Sequence, residues 1–296
     1  MKFNHVDINK FAAFHTTYTD ANIFTRFDWN ERVDDAIDCL ANKTGLFVYD
    51  DDKLIGGFTL AENKISYPFM VPPYRTKKEF WGVVLSYAGH VNGPTEIFLN
   101  EIPETDVHIL KQLSNVKLRH TKQRMLRPTE RYTPMLNDDF YFDILTEKDK
   151  PEIIKVIFEA HSDGYTAMVE KPDIDEIKHA VERRYDSFGK TDTLFMGNLV
   201  KRKTSHEIAG VCIAGIYPSS KTYSTSNFAT IHQVSVIPKY RRNGIAKAMI
   251  LKSINDASSV SPVITLGVMI GNPAETLYEE IGFAPGPCYS ELIYVP

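Results

Sequence analysis

The sequence predicts a mixed α/β chain (α+β in its element order) built from two tandem domains. Three observations carry this. Apolar runs of strand composition alternate with stretches whose apolar residues recur at helical spacing. The same order of segments occurs in the front and back halves. One short motif also appears twice in that order, as VPPYR at residues 71–75 and IPKYR at residues 237–241, which sets Pro72 on Pro238, Tyr74 on Tyr240 and Arg75 on Arg241 at an offset of 166. A repeat this long means two copies of one domain, because solenoid repeats run about 20–50 residues.

In the front copy, KLIGGF (53–58) reads as a strand, and TEIFLN (95–100) as another. Between them a helix from about Lys77 carries Phe80, Trp81, Val84, Leu85 and Ala88 on one face. A polar, Pro-punctuated stretch at 128–139 (PTERYTPMLNDD) reads as the linker, giving a front domain at 1–134 and a back domain at 138–296. The back copy begins with a strand at 141–145. A helix at 150–161 follows with Ile153, Ile154, Ile157 and Phe158 apolar, then a second at 172–188 with Ile174, Ile177, Val181 and Tyr185 apolar. Strands follow at 193–200, 208–217 and 228–236. A helix at 243–257 turns Ile245, Met249, Ile250 and Ile254 toward the sheet. A strand at 263–270, a helix from Pro273 and a strand at 283–295 close the domain.

Two stretches carry the chemistry. Residues 234–246 (VSVIPKYRRNGIA) join an apolar strand, a turn, two arginines and a glycine that opens a helix. The unpaired N–H groups and positive dipole end of a helix start attract anions. Gly244 allows close backbone approach, and Arg241 and Arg242 suit phosphate oxygens. Residues 272–283 (NPAETLYEEIGF) place Asn272 as an N-cap, Pro273 at the first helical position, and Gly282 where the helix should stop.

Arg241-x-x-Gly244-x-Ala246, followed by Asn272, Ala274, Leu277, Tyr278, Gly282 and Phe283, resembles the paired motifs of the GCN5-related N-acetyltransferases. The likeness covers the back half from about residue 138. It implies two tandem acetyltransferase-fold domains, each a mixed, mostly antiparallel sheet flanked by helices. It implies acetyl-CoA as co-substrate, held by Val234, Ser235, Val236, Arg241, Arg242, Asn243, Gly244, Ile245, Ala246 and Asn272. The backbone N–H groups of 234–236 would polarise the thioester carbonyl where the fourth strand leaves the fifth. Tyr278 would protonate the departing thiolate.

An acceptor amine must lose a proton before it attacks, and on the fourth strand His232 is the leading base, with Glu207 and Glu291 as alternatives. On that reading, turnover rises with pH through His232 at about 6–8 and falls where Tyr278 ionises. The family places its acceptor loop at 161–172, where Tyr165, Met168 and Glu170 stand. The front copy departs from the motif, with Lys78 at the position of Gly244, Phe80 at that of Ala246, and no tyrosine matching Tyr278. It reads as a degenerate domain that supports or shapes the back one.

Composition bounds the alternatives. A net charge of −4 argues against broad nucleic-acid binding, and no apolar run reaches the ~18 residues of a membrane span. The start, MKFNHVDINK, lacks the apolar core of a secretory signal, and three scattered cysteines suggest neither a disulfide framework nor a zinc site. These point to a cytoplasmic protein without a metal, acting on a small-molecule or peptide amine; a homodimer is compatible. The competing readings keep the cofactor: a different acyl-CoA, or a non-catalytic CoA-sensing module.

Overall fold

The computed structural model describes residues 1–19, 32–33, 36–37, 40, 43–72, 77–169, 171–190, 194–217 and 227–296. These form two compact units, one holding 1–123 and 286–296, the other 124–217 and 227–285. Pro73, Tyr74 and Arg75 of the front motif, and Glu170, lie outside the described residues.

The front unit runs β1 (Lys2–Val6), α1 (Ile8–Tyr18), β2 (Thr44–Asp50), β3 (Lys53–Ala61), β4 (Lys64–Met70), α2 (Lys77–Asn92), β5 (Ile97–Pro103) and α3 (Glu104–Leu110). The first part of β6 (Val116–Pro128) and nearly all of β13 (Ala284–Tyr294) complete it. Its sheet is ordered β1-β2-β3-β4-β5-β13-β6. Neighbours pair antiparallel from β1 to β4 and at β5–β13, whereas β4–β5 is parallel. Helix α2 buries the five residues expected of it, Phe80, Trp81, Val84, Leu85 and Ala88. On the other side α1, capped by Asp7 at the Asn9 and Lys10 amides, sets Phe11 against Phe47 and Phe69. The terminal strand differs from expectation. It was expected to close the back domain, but Tyr289–Tyr294 pair with Pro103–Ile97 and so fill the front sheet.

The back unit starts at the end of β6 and continues through β7 (Phe140–Ile144), α4 (Lys150–His161), α5 (Tyr165–Val169) and α6 (Ile174–Lys190). Strands β8 (Leu194–Phe195), β9 (Asn198–Arg202), β10 (Ile208–Tyr217) and β11 (Phe228–Val236) follow. Helix α7 (Ile245–Ala257), β12 (Val263–Met269) and α8 (Ala274–Glu280) end it. The sheet order is β6-β12-β11-β10-β9-β7, with β8 beside β10. Only β11–β12 is parallel among the strand pairs with described registers here. The strand expected at 193–200 is broken at Gly197, whose missing Cβ leaves room for the Phe195 ring. The stretch expected as an acceptor loop holds the short helix α5.

One face of the back sheet is covered by α7. Beneath it Ser253 meets Cys212 (3.3 Å) and Asn198 Nδ2 (3.1 Å), while the buried Asn198 Oδ1 has no partner among the described residues. Helix α4 reaches the sheet at Gln233, which paired strands place on the same face as Ile213. The residues read as linker lie along the back unit, where Thr129 N–H donates to the Pro262 carbonyl and Tyr132 N–H to Asn255. Among the described residues no helix is long and apolar enough to cross a membrane.

The repeat is visible in the parallel pairs. In front, Lys64, Ile65 and Ser66 stand opposite Phe98, Leu99 and Asn100, and pairing stops there. Behind, Ala229, Thr230 and Ile231 stand opposite Ile264, Thr265 and Leu266, and pairing stops again. Each sheet therefore parts at one place, just before a strand-to-helix turn.

In the front unit the two helix starts that follow the parted strands are tied to each other. Asp106, buried in the first turn of α3, accepts from Lys77 Nζ at the first residue of α2 and from Trp81 Nε1 at 3.0 Å. Asp106→Ala leaves the buried indole N–H without this acceptor and is expected to cost about 2 kcal/mol in urea unfolding. Asp106→Asn, which still offers an oxygen to Trp81, should cost less than half of that.

Candidate active site

The back unit's gap begins with a β-bulge. Ile213 stands opposite Gln233 and Ala214 opposite Ile231, so His232 is an extra residue without an opposite number on β10. A bulge bends its strand and increases its twist. On the other edge of β11 the ladder to β12 ends at the same point, after Ile231. Residues 233–236 stay paired with β10 and leave their other edge unpaired by β12. Here Val234, Ser235 and Val236 have one edge laddered to β10 and the other unpaired by β12.

Following β11, the turn at 238–240 leads to Arg241, Arg242, Asn243 and Gly244, then to α7 at Ile245. Gly244 is left-handed (φ +75°), and a Cβ there would point into open space. Arg242 is also left-handed (φ +67°), an uncommon state for a long side chain. Left-handed residues in such a turn make main-chain N–H groups converge on anions. Asn243 braces the loop by donating to the Tyr240 and Arg241 carbonyls at 3.1 and 3.2 Å. Ile245 and Ala246 open α7, whose first N–H groups have no partner within the helix.

Arg241 is bonded within the fold. Its Nη2 donates to the carbonyls of Ala160 (2.8 Å) and Asp163 (2.9 Å), its Nη1 pairs with the Asp163 carboxylate (3.3 Å), and its Nε reaches Val236 (3.4 Å). It clamps the turn after α4, while Arg242 beside it is exposed. The segment beyond that turn is held at its other end as well, where the Tyr165 hydroxyl donates to the Ile270 carbonyl at the end of β12. Gly271 makes room for this contact, since a Cβ would stand 2.9 Å from the Tyr165 hydroxyl. Met168, by contrast, is exposed.

The second motif forms a Schellman turn. Phe283 N–H donates to Tyr278 O and Gly282 N–H to Glu279 O, with Gly282 at φ +88°. The apolar contact that accompanies such a turn is Tyr278 against Phe283, edge to face at 6.1 Å between centroids. Buried Arg127 donates to the Ile281 carbonyl, placing a cation at the helix's negative end. At the other end Asn272 accepts from the Ala274 amide at 2.9 Å, as its capping role requires. Burial, with the Cys212 thiol nearby, pushes the Tyr278 phenol up to about 12. It therefore stays protonated across the working range, and the expected fall in turnover from its ionisation moves out of reach.

The three base candidates fare differently. Burial, with the Arg184 charge adding to it, pushes His232 down to about 3, too weak a base for catalysis near neutrality. Glu207 is taken up by Lys239 (2.6 Å) and the Tyr240 hydroxyl (2.7 Å), which hold its carboxyl below the usual range. Glu291 belongs to the front unit; although burial works against its charge, His120 and Lys122 bring its carboxyl down to about 2. The sequence reading missed His161, the last residue of α4, whose Nε2 lies 2.9 Å from the Gln233 side-chain amide. That same amide reaches Ser235 Oγ at 2.8 Å. A separate groove of about 690 Å³, lined by Phe142, Ile144, Phe195, Lys252 and Asp256 among others, contains none of these residues.

A depressed histidine pKa has a definite sign. Above pH 6.5 His232 is neutral folded or unfolded and contributes no pH dependence. Between 6.5 and about 3 the unfolded chain binds the proton and the folded chain does not, so stability falls as pH falls. His15, driven to about 3 by burial in the front unit, acts the same way. Histidine NMR should show the His232 ring not titrating between pH 5 and 8, and His232→Gln should flatten the acid loss of stability. A midpoint near 6.5 for that ring would contradict this burial.

Comparison with known proteins agrees with the geometry. Residues 154–283 match the acetyltransferase (GNAT) family. No curated protein matches the chain. Among solved structures, a tandem GNAT protein from the clavulanic acid biosynthesis pathway is 9% identical at a TM-score of 0.64, covering 99% of this chain and 97% of its own. A GNAT-family acetyltransferase from Colwellia psychrerythraea is 10% identical at 0.61, covering 100% of both chains. A GCN5-related N-acetyltransferase from Sphaerobacter thermophilus is 13% identical at 0.62, covering 88% of this chain and 84% of its own. The matched region, with its parted strands, left-handed glycine loop and capped tyrosine helix, belongs to the acetyltransferase (GNAT) family, and the chain as a whole has the tandem GNAT fold.

Proposed function

We propose that this chain transfers an acetyl group from acetyl-CoA to an amine, a small molecule or a peptide, in the cytoplasm, with its active site in the back unit. The observation that carries this is the parting of β11 from β12 immediately before the Gly244 loop. An extended thioester chain can lie along the free edge of 233–236 with its pyrophosphate at the main-chain N–H groups of 242–246 and the Arg242 charge. The residues fit the cofactor, because the glycine loop leaves space where a side chain would stand. Tyr278 is the proton donor to the leaving sulfur. A phenol raised to about 12 is a reluctant donor, but a thiolate formed in the same buried setting is raised too.

The front unit is proposed as a support without acetyl transfer. Its strands part in the same way, but the Lys77–Asp106 pair joins the two helix starts that would have to admit a cofactor. Lys78 also stands where the back unit has Gly244.

Two measurements test the reading. Calorimetry should find one acetyl-CoA per chain, and Gly244→Lys should abolish binding, since a side chain is forced onto a left-handed residue at the anion loop. Unchanged affinity in that variant would remove the pyrophosphate assignment. Tyr278→Phe should keep the affinity and lower kcat by about 10²–10⁴-fold, the span of general-acid contributions. A CoA sensor would be indifferent to that change. Wild-type kcat should show no fall up to about pH 10 from the tyrosine, given its raised phenol.

A further inference from the structure

We propose that His161, oriented by Gln233, is the general base that takes the proton from the acceptor amine. This rests on the transferase reading above. His161 ends α4 on the turn that Arg241 clamps, so its backbone is fixed by a bond to the Ala160 carbonyl one residue away. Its ring is fixed by Gln233, the residue after the bulge, at the start of the unpaired edge. Both supports come from the strand and loop that would hold acetyl-CoA, which places the ring by the same framework as the thioester.

The chemistry of the pair suits a base. A side-chain amide can present either end to a ring. As placed, Gln233 Nε2 faces both His161 Nε2 and Ser235 Oγ; turned end for end, the amide oxygen accepts from Nε2–H and from the Ser235 hydroxyl together, using both lone pairs. The ring is then held in one tautomer with the Nδ1 lone pair free, as orienting groups do for catalytic histidines. As the amine nitrogen bonds to the thioester carbonyl carbon it becomes acidic and gives a proton to His161 Nδ1. The C–S bond breaks and the sulfur takes the phenolic proton of Tyr278. Water returns the proton from imidazolium to phenolate, so amine and thioester give amide and thiol with no other reactant.

Burial holds the His161 pKa below its ordinary value, which keeps the ring neutral at pH 7. The elements packed against α4 carry Tyr165 on α5, Arg184 on α6 and His232 on β11, where the Arg184 charge acts on His232; Glu159 lies on α4 itself, and Asp163 and Arg241 pair on the adjoining turn. The ring's partners on β11, Gln233 and Ser235, are uncharged.

The test uses the full chain, acetyl-CoA and a panel of primary amines, with CoA release giving kcat. His161→Ala should lower kcat by about 10²-fold or more while the acetyl-CoA Kd stays within twofold, and added imidazole should restore part of the rate. Gln233→Glu keeps the histidine but sets a carboxylate against it, so the acid limb of kcat should move to higher pH by about one unit. His161→Ala with kcat within threefold of wild type overturns the proposal alone, as does a Gln233→Glu limb that does not move. If His161→Ala fails to fold, the Gln233→Glu profile decides by itself. A wild type that binds no acetyl-CoA, or transfers to none of the amines, overturns the transferase reading and this proposal with it.

Discussion

The site depends on one constraint, the place where β11 leaves β12. A parallel pair that continued past Ile231 would spend its backbone hydrogen bonds within the sheet. Because the extra residue His232 bends the strand at that point, the edge beyond it is free of β12 while the opposite edge remains laddered to β10. The free edge is thus rigid on one side and available on the other, which suits a preorganised set of donors. The neighbouring features use the same gap. The Gly244 loop begins where β11 ends, α8 begins where β12 ends, and the turn after α4 is fastened to both through Arg241 and Tyr165.

Much of this was legible in the sequence, for identifiable reasons. The helix at 150–161 and the strands at 208–217 and 228–236 match residue for residue, because their apolar periods are uninterrupted. Gly282 was readable as a stop because a Schellman turn needs a left-handed residue. The bulge was not readable. Strict alternation puts Ile231, Gln233 and Ser235 on one face, and a single extra residue breaks that rule with no signature in the residue types. Alternation alone therefore did not show that His232 sits at the irregularity while Gln233 turns toward α4. The bonds of Arg241 were not readable either. An arginine beside a glycine loop suits phosphate by composition, but its guanidinium Nη atoms reach Ala160 and Asp163, 78 and more residues away, where local sequence gives no hint.

The two copies show how little must change for a cleft to open or close. Both retain the parallel pair, its early ending and the helix that follows. The front copy also has an irregularity in its β3–β4 ladder, between Gly57 and Thr59, near the positive-φ residue Tyr67 of β4. What differs is at the helix starts, where Lys77 and Asp106 satisfy each other in front and the back has a glycine with open space before it. A partly buried ion pair is costly to break one partner at a time, so such a tie resists admitting an anion.

Burial acts on three side chains of the back unit in the same direction, toward neutrality. It raises the Tyr278 phenol and the Cys212 thiol to about 12, and it lowers His232 to about 3. Burial that disfavours these charged forms also disfavours an ammonium beside them, so an amine there must arrive neutral or give up its proton at once. It disfavours the thiolate equally, which favours transfer of the phenolic proton as the C–S bond breaks. The same dryness that weakens each group as an isolated acid or base therefore couples them, because the charge made on one must be cancelled at another. The pKa of any single residue then matters less than whether donor and acceptor are held at fixed positions, and in this fold the bulge, the Schellman turn and the Arg241 clamp hold them.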